Sequence, residues 1–91
     1  MNIIWTDSAL NDIARLFKFL LPLNPLVAEA FVDMILAAPD RLVTTPRLGE
    51  RVDRPGEEEV RRMFVRHYEM RYEIDGEDLY VLRIFHTRED R

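Results

Sequence analysis

The stretch Tyr68-Glu69-Met70-Arg71-Tyr72-Glu73-Ile74-Asp75-Gly76 decides the fold of this chain. Apolar and aromatic side chains alternate here with charged ones, and a period of two is typical of a β-strand with one buried face. Asp75-Gly76 is a hairpin turn signal. Leu79 to His86 follows, apolar on both faces, as suits a central strand. The sequence therefore predicts an antiparallel hairpin over these residues.

A third strand precedes this hairpin, since the period of two begins at Val60 and runs to Val65. The three strands would form an antiparallel meander. The segment 40–59 is predicted to be irregular, because Pro46, Gly49, Pro55 and Gly56 interrupt it. We expect it to be an ordered crossing, since long structureless connections are uncommon in compact domains.

Two helices are predicted between residues 7 and 38. The first is capped by Asp7 or Ser8 and ends at Pro22, and the second starts at Asn24-Pro25. The apolar stripe of the first helix is Leu10, Ile13, Ala14, Phe17, Leu20 and Leu21, with Asp12 and Arg15 facing elsewhere; that of the second is Val27, Ala30, Phe31, Met34, Ile35 and Ala38. The short connection between them predicts an antiparallel helical hairpin.

These elements predict an α+β fold. An N-terminal strand at Asn2 to Trp5 is followed by the antiparallel helical hairpin and the three-stranded antiparallel meander, with the helices packed on one face of the sheet. The other face is expected to be open and to carry Glu69 and Arg71, with Leu79 and Phe85 on the same side. Trp5, Phe17, Phe31 and Phe64 are expected in the core. The length of 91 residues predicts a single domain, residues 1–91.

Composition excludes several classes of function. The chain has no cysteine, which rules out disulfides and thiol catalysis. No apolar run approaches the roughly 20 residues of a membrane span, and no secretory signal is present, so we expect a cytoplasmic protein. The net charge of −4 weighs against general nucleic-acid binding. Without a phosphate-binding glycine loop, we expect no cofactor.

The chemistry-bearing residues lie at the end of the last strand, where His86 and Arg88 follow Val81 to Phe85. Histidine is the natural acid or base near neutral pH, and arginine stabilises phosphate charge. Residue chemistry alone nevertheless favours a simple strand end that meets water. His67 and His86 are the only histidines and no third ligand has recognisable spacing, so no metal site is expected.

With this layout in view, the chain resembles the RelE/ParE superfamily of toxins from bacterial type II toxin–antitoxin systems. The resemblance covers nearly the whole length. It rests on the first strand ending at Trp5, the helical hairpin, Tyr68-Glu69-Met70-Arg71-Tyr72 and the ending Arg83-Ile84-Phe85-His86-Thr87-Arg88-Glu89-Asp90.

The resemblance favours the ParE-like branch, whose members poison DNA gyrase, over the RelE-like branch, whose members cleave mRNA on the ribosome. Glu69 stands where ribonuclease members tend to carry an arginine, and no tyrosine follows Arg88 as it does in some nucleases. Nuclease members also tend to be basic, whereas this chain is acidic.

The resemblance thus implies a toxin that inhibits DNA gyrase by binding, causes growth arrest, serves in plasmid stabilisation and is neutralised by a cognate antitoxin. It implies a target-binding rim of Arg83, His86 and Arg88, and an antitoxin-binding groove near Leu10, Phe17 and Phe31. One alternative is a ribosome-dependent mRNA endonuclease using Arg71, His86 and Arg88. Another is a non-toxic member that only binds the antitoxin.

Overall fold

A computed structural model of the chain describes residues 1–52, 56 and 58–89. Its elements are β1 (Asn2–Trp5), α1 (Asp7–Leu20), α2 (Pro25–Ala37), α3 (Asp40–Thr44), β2 (Glu50–Arg51), β3 (Glu59–Val65), β4 (Tyr68–Asp75) and β5 (Asp78–His86). The predicted α+β fold is confirmed, and its meander is β3 to β5. The segment 40–59 is more regular than predicted, because it contains α3 and β2; residues 53–55 and 57 of it lie outside the described part.

Within the described ranges the sheet has five strands, in the order β1-β5-β4-β3-β2. β1 runs parallel to β5, and every other neighbouring pair is antiparallel. The parallel pairing extends only from Asn2 opposite Asp78 to Trp5 opposite Val81. Beyond Val81, no strand among the described residues lies on that side of β5, and α1 lies there instead.

Both long helices start at a residue whose side-chain oxygen accepts hydrogen bonds from backbone N–H groups of the first turn. Thr6 caps α1: its Oγ1 accepts from the N–H of Ala9 at 3.2 Å and its hydroxyl donates to the carbonyl of Val81 at 2.7 Å. The predicted cap at Asp7 or Ser8 is wrong, because Thr6 is the residue that β1 holds against β5. The cap at Asn24 is confirmed, since its Oδ1 accepts from Leu26 and Val27.

The core lies between the helices and one face of the sheet. Its buried members are Ala9, Ile13, Leu16, Phe31, Ile35, Ala38, Leu42, Met63, Met70, Tyr72, Leu79, Val81 and Ile84. The predicted stripe of α1 is rotated slightly from the observed one: Leu10 is 46% exposed, whereas Asp12 is 4% exposed. Phe64 was expected in the core but is exposed on the other face. Within the described residues, no helix is long and apolar enough to cross a membrane.

A β-bulge in β5 changes which residues share a face. Tyr72 lies opposite Val81 and Arg71 lies opposite Arg83, which leaves Leu82 without a partner across β4. Strict alternation placed Leu79 and Phe85 together on the open face. The extra residue reverses the alternation, so that Leu79 enters the core and Phe85 stays on the opposite face.

The crossing from α3 to β3 is attached to the sheet by the buried phenol of Tyr72. Its hydroxyl accepts from the N–H of Gly49 at 2.9 Å and donates to the carbonyl of Pro46 at 2.8 Å. A Cβ at Gly49 would lie 2.4 Å from the carbonyl oxygen of Arg62, so only glycine allows this close approach.

We predict that Tyr72→Phe lowers the free energy of unfolding by about 1–3 kcal/mol, because the N–H of Gly49 would be left buried without a partner. Urea denaturation measures this loss. Tyr80→Phe on β5 is the matched control and should change stability by less than about 0.5 kcal/mol. Equal stability of the two variants would contradict the role given to the Tyr72 hydroxyl.

Candidate functional site

Three arginines stand side by side on the face of the sheet away from the helices. Arg62 on β3 lies opposite Arg71 on β4, which lies opposite Arg83 on β5. We call this set the arginine row. Like charges directly opposite one another destabilise a sheet. The row therefore requires anionic partners within the protein.

Carboxylates supply these partners at both ends and beside the middle of the arginine row. Glu50 on β2 binds Arg62, and Asp12 on α1 binds Arg83. Glu69 on β4 lies 2.7 Å from Arg71 and 3.8 Å from Arg62. Glu69 was expected at an open surface but is fully buried, because the guanidinium groups cover it. The row is thus neutralised within the molecule.

The aromatic ring of Phe85 is held between two members of the arginine row. The guanidinium carbon of Arg83 lies 4.8 Å from the ring centroid and that of Arg71 lies 5.3 Å from it. Both distances fit cation–π contact. Phe85 is only 7% exposed. It therefore does not present the exposed apolar surface that the sequence suggested for this face.

Asp12 connects α1 to the part of β5 beyond Val81, where the pairing with β1 has ended. Its Oδ2 accepts from the backbone N–H of Ile84 at 2.9 Å and from Nε of Arg83 at 2.7 Å. Burial alone would raise the pKa of Asp12, but these hydrogen bonds and the charge of Arg83 outweigh it and hold the pKa below its usual 3.8. Asp12 is therefore an ionised group at the edge of the core.

The end of β5 is ordered by contacts around His86. The backbone N–H of Arg88 donates to Nδ1 of His86 at 3.1 Å, so the neutral ring carries its proton on Nε2. The backbone N–H of His86 donates to Glu89 at 2.9 Å. Tyr68 meets the ring of His86 edge-on at 5.3 Å and the buried ring of Phe31 at 4.7 Å. This aromatic series connects the core to the rim.

A pocket of about 460 Å³ opens beside His86, between the second half of α1, the start of β4 and the end of β5. It is lined by Arg15, Leu16, Phe19, Leu20, Tyr68, His86, Arg88 and Glu89. Burial, together with the charge of Glu89, raises the pKa of Tyr68, so its phenol stays protonated at neutral pH. The pocket combines apolar walls with two arginines and a hydrogen-bonding histidine.

The structure separates the residues that the sequence grouped. His86 and Arg88 meet at the pocket, on the helix side of the sheet. Arg83 and Arg71 lie on the other face, in the arginine row. His67 comes within 6.4 Å of His86, measured between ring centroids. Among the described residues, no three His, Cys, Asp or Glu side chains are grouped to hold a metal ion.

The expected groove residues have different surroundings. Leu10 and Phe17, seven residues apart on α1, share one side of the helix, and Leu10 is 46% exposed. Phe31 is 3% exposed and packs in the core. Phe19, which sequence reasoning left out, is 67% exposed at the pocket. Asp12 was also missed, although its position between Ala9 and Ile13 places it on the inward side of α1.

Comparison with known proteins identifies the family. The profile of the ParE toxin of the type II toxin–antitoxin system, parDE, matches residues 3–91. The chain belongs to this family. No curated protein sequence matches it.

Two solved structures have a similar fold. A chain from the chromosomal ParDE TA system of P. aeruginosa is similar with a TM-score of 0.80 and 23% identity, over 94% of this chain and 95% of that one. A chain from the toxin–antitoxin complex RelBE2 of Mycobacterium tuberculosis has a TM-score of 0.56 and 23% identity, over 93% and 95% of the two chains. At this identity the likeness concerns the fold, and it agrees with the RelE/ParE resemblance.

We predict that Asp12→Asn lowers the free energy of unfolding by about 2 kcal/mol at pH 7, because it weakens a charged hydrogen bond to Arg83. The folded protein binds the Asp12 proton less readily than the unfolded chain does. The stabilisation is thus present above pH 3.8 and is lost as pH falls through the lower pKa of the folded state.

Urea denaturation at a series of pH values measures this effect. The stability difference between the native protein and Asp12→Asn should shrink below about pH 4. Asp33→Asn, at an exposed position of α2, is the control. A difference for Asp12→Asn that stays constant down to the acid limit of folding would refute the assignment.

Proposed function

We propose that this protein is a toxin that inhibits DNA gyrase by binding and is neutralised by a cognate antitoxin. Membership of the ParE toxin family supports this reading. The rim residues Arg83, His86 and Arg88 are the proposed contacts to the target, with His86 and Arg88 at the pocket and Arg83 on the other face of the sheet. The observation that favours a binding role over nuclease chemistry is the hydrogen bond that Nδ1 of His86 accepts from the N–H of Arg88.

His86 is arranged to donate a hydrogen bond. Its Nδ1 accepts the N–H of Arg88, so the neutral ring offers an Nε2–H group. A general base needs a free ring nitrogen near the proton that it removes. The geometry therefore favours recognition of a partner over proton transfer.

Arg71 is also poorly placed for phosphodiester cleavage. It lies on the sheet face opposite the pocket of His86 and Arg88, and Glu69 binds its Nε at 2.7 Å. Electrostatic catalysis needs a cation aimed at the charge that develops on the reacting group. Arg71 does not line the pocket of His86 and Arg88, so the three residues do not form one site. This separation is evidence against the mRNA endonuclease alternative.

The antitoxin is proposed to bind along α1, where Leu10 and Phe17 share one side. One structural neighbour is itself a toxin–antitoxin complex, which supports a partner of this kind. Phe31 would act from the core by fixing Tyr68, since their rings are 4.7 Å apart. A contiguous exposed apolar patch is a common mark of a protein-binding surface.

We predict that the purified protein inhibits DNA supercoiling by gyrase and leaves mRNA intact in a ribosome-dependent cleavage assay. Arg88→Ala and His86→Ala should weaken gyrase inhibition by about tenfold, the effect of losing one good polar contact. Arg41→Ala, an exposed position on α3, is the matched control and should keep full inhibition. Codon-linked mRNA cuts that vanish in His86→Ala would favour the endonuclease instead.

We also predict that Leu10→Glu weakens antitoxin binding by about tenfold or more, because a charge would replace an apolar contact. Val43→Glu on α3 is the control, since Val43 has a similar exposure of 44% compared with 46% for Leu10. Isothermal titration calorimetry with the protein encoded beside this chain measures both affinities. Equal affinities would remove Leu10 from the proposed groove.

A further inference from the structure

Two carboxylates cover the backbone of β5 beyond Val81, where the pairing with β1 has ended. Ile84 and His86 are two residues apart on β5, so their N–H groups point to the same side of the strand. Asp12 accepts the N–H of Ile84 at 2.9 Å, and Oε1 of Glu89 accepts the N–H of His86 at 2.9 Å. The two side chains therefore take the place of the carbonyl groups of a neighbouring strand.

One arginine of α1 joins these two carboxylates. Nη1 of Arg15 lies 3.1 Å from Oε2 of Glu89, and its Nη2 lies 3.4 Å from Oδ1 of Asp12. Each oxygen of Glu89 thus has its own donor, the N–H of His86 on one and Arg15 on the other. The position of Glu89, in the turn after β5, is therefore set from α1.

The turn after β5 is closed by hydrogen bonds from its backbone. The N–H of Thr87 donates to the carbonyl of His67 at 2.8 Å, and that of Arg88 donates to Nδ1 of His86 at 3.1 Å. The N–H of Glu89 donates to the carbonyl of His86 at 2.9 Å. A segment outside a strand keeps one conformation only where such bonds outweigh the entropy lost by ordering it. The side chain of Glu89 supplies one of these bonds.

The pairing of Glu89 with Arg15 also affects the charge of Arg88. Glu89 is the neighbour of Arg88 in sequence, but its carboxylate binds Arg15 and the backbone of His86. Within the described part of the chain, no carboxylate pairs with Arg88, whose side chain is exposed. Arg15 thus keeps Glu89 from neutralising Arg88.

We propose that Glu89, supported by Arg15, is the positioning residue of the target-binding rim. It fixes the backbone of His86, and with it the directions of the Nε2–H group of His86 and the guanidinium of Arg88. This inference rests on the proposed function. Glu89 acts through its two neighbours and not by contact with gyrase. A rim that is ordered before binding avoids the entropy cost of ordering its side chains in the complex.

Supercoiling assays with full-length variants test this role, and the readout is the concentration that halves gyrase activity. Glu89→Ala should raise this concentration by about tenfold although His86 and Arg88 are still present, as expected from the cost of ordering one or two side chains. Glu89→Gln should stay within about threefold of the native protein, because an amide oxygen still accepts the N–H of His86. Arg15→Ala should lie between the two.

Amide hydrogen exchange separates positioning from a general loss of stability. In Glu89→Ala, exchange should be about tenfold faster at His86 and Arg88 and unchanged at Met70, which is fully buried in the core. Global destabilisation would instead accelerate exchange at all three residues. In Glu89→Gln, the amides of His86 and Arg88 should exchange at nearly the native rate.

Matched controls test whether the effect is specific to this position. Glu77→Ala removes an exposed glutamate at the opposite end of the sheet, and Arg41→Ala removes an exposed arginine of α3. Both should inhibit gyrase within about twofold of the native protein, the scale of neutral surface positions. In a His86→Ala background, Glu89→Ala should cost less than it does in the native protein, because the two changes act on one unit.

Three outcomes would overturn the proposal. If Glu89→Ala inhibits gyrase like Glu77→Ala while His86→Ala is impaired, Glu89 does not position the rim, yet the proposed function stands. If Glu89→Gln is as weak as Glu89→Ala and the loss persists in full in the His86→Ala background, Glu89 contacts gyrase itself. If the native protein does not inhibit gyrase, the inference and the proposed function fail together.

Discussion

The rest of this structure depends on the hydrogen bonds that the carboxylate of Asp12 accepts from Ile84 and Arg83. β1 pairs with β5 only as far as Val81. The C-terminal half of β5 therefore has a strand edge whose backbone groups must be covered by contacts other than β1. Asp12 accepts the N–H of Ile84 and binds Arg83, and so holds α1 where a further strand would lie. The pocket exists because this contact fixes the distance between α1 and the end of β5.

The arginine row is explained better by internal packing than by phosphate binding. Arg62 and Arg71 cover the buried carboxylate of Glu69, and Arg71 and Arg83 lie against the ring of Phe85. A planar guanidinium can stack on a ring and donate along its edge at the same time, which an ammonium cannot do. This requirement accounts for arginine rather than lysine in the arginine row.

Hydrophobic periodicity predicted the strands, the helical hairpin and their layers, because burial of one face governs each of them. Periodicity did not predict the burial of Asp12 and Glu69. These charged residues are buried because partners on other elements of the fold bind them. Periodicity also did not predict the bulge at Leu82, because a bulge does not change the sequence pattern of a strand that is apolar on both faces. His86 and Arg88 both line the pocket, whereas Phe19 could not be placed beside them from the sequence, because the pocket joins three elements.

The parallel pairing of β1 with β5 also has a consequence for biosynthesis. Asn2 lies opposite Asp78, and the hydroxyl of Thr6 donates to the carbonyl of Val81. The first strand can therefore pair only after nearly the last residues have been synthesised. Contacts this distant in sequence form late and slowly. The helical hairpin can form early on the ribosome, whereas the sheet and its rim cannot. The sheet therefore cannot be completed until synthesis has passed His86.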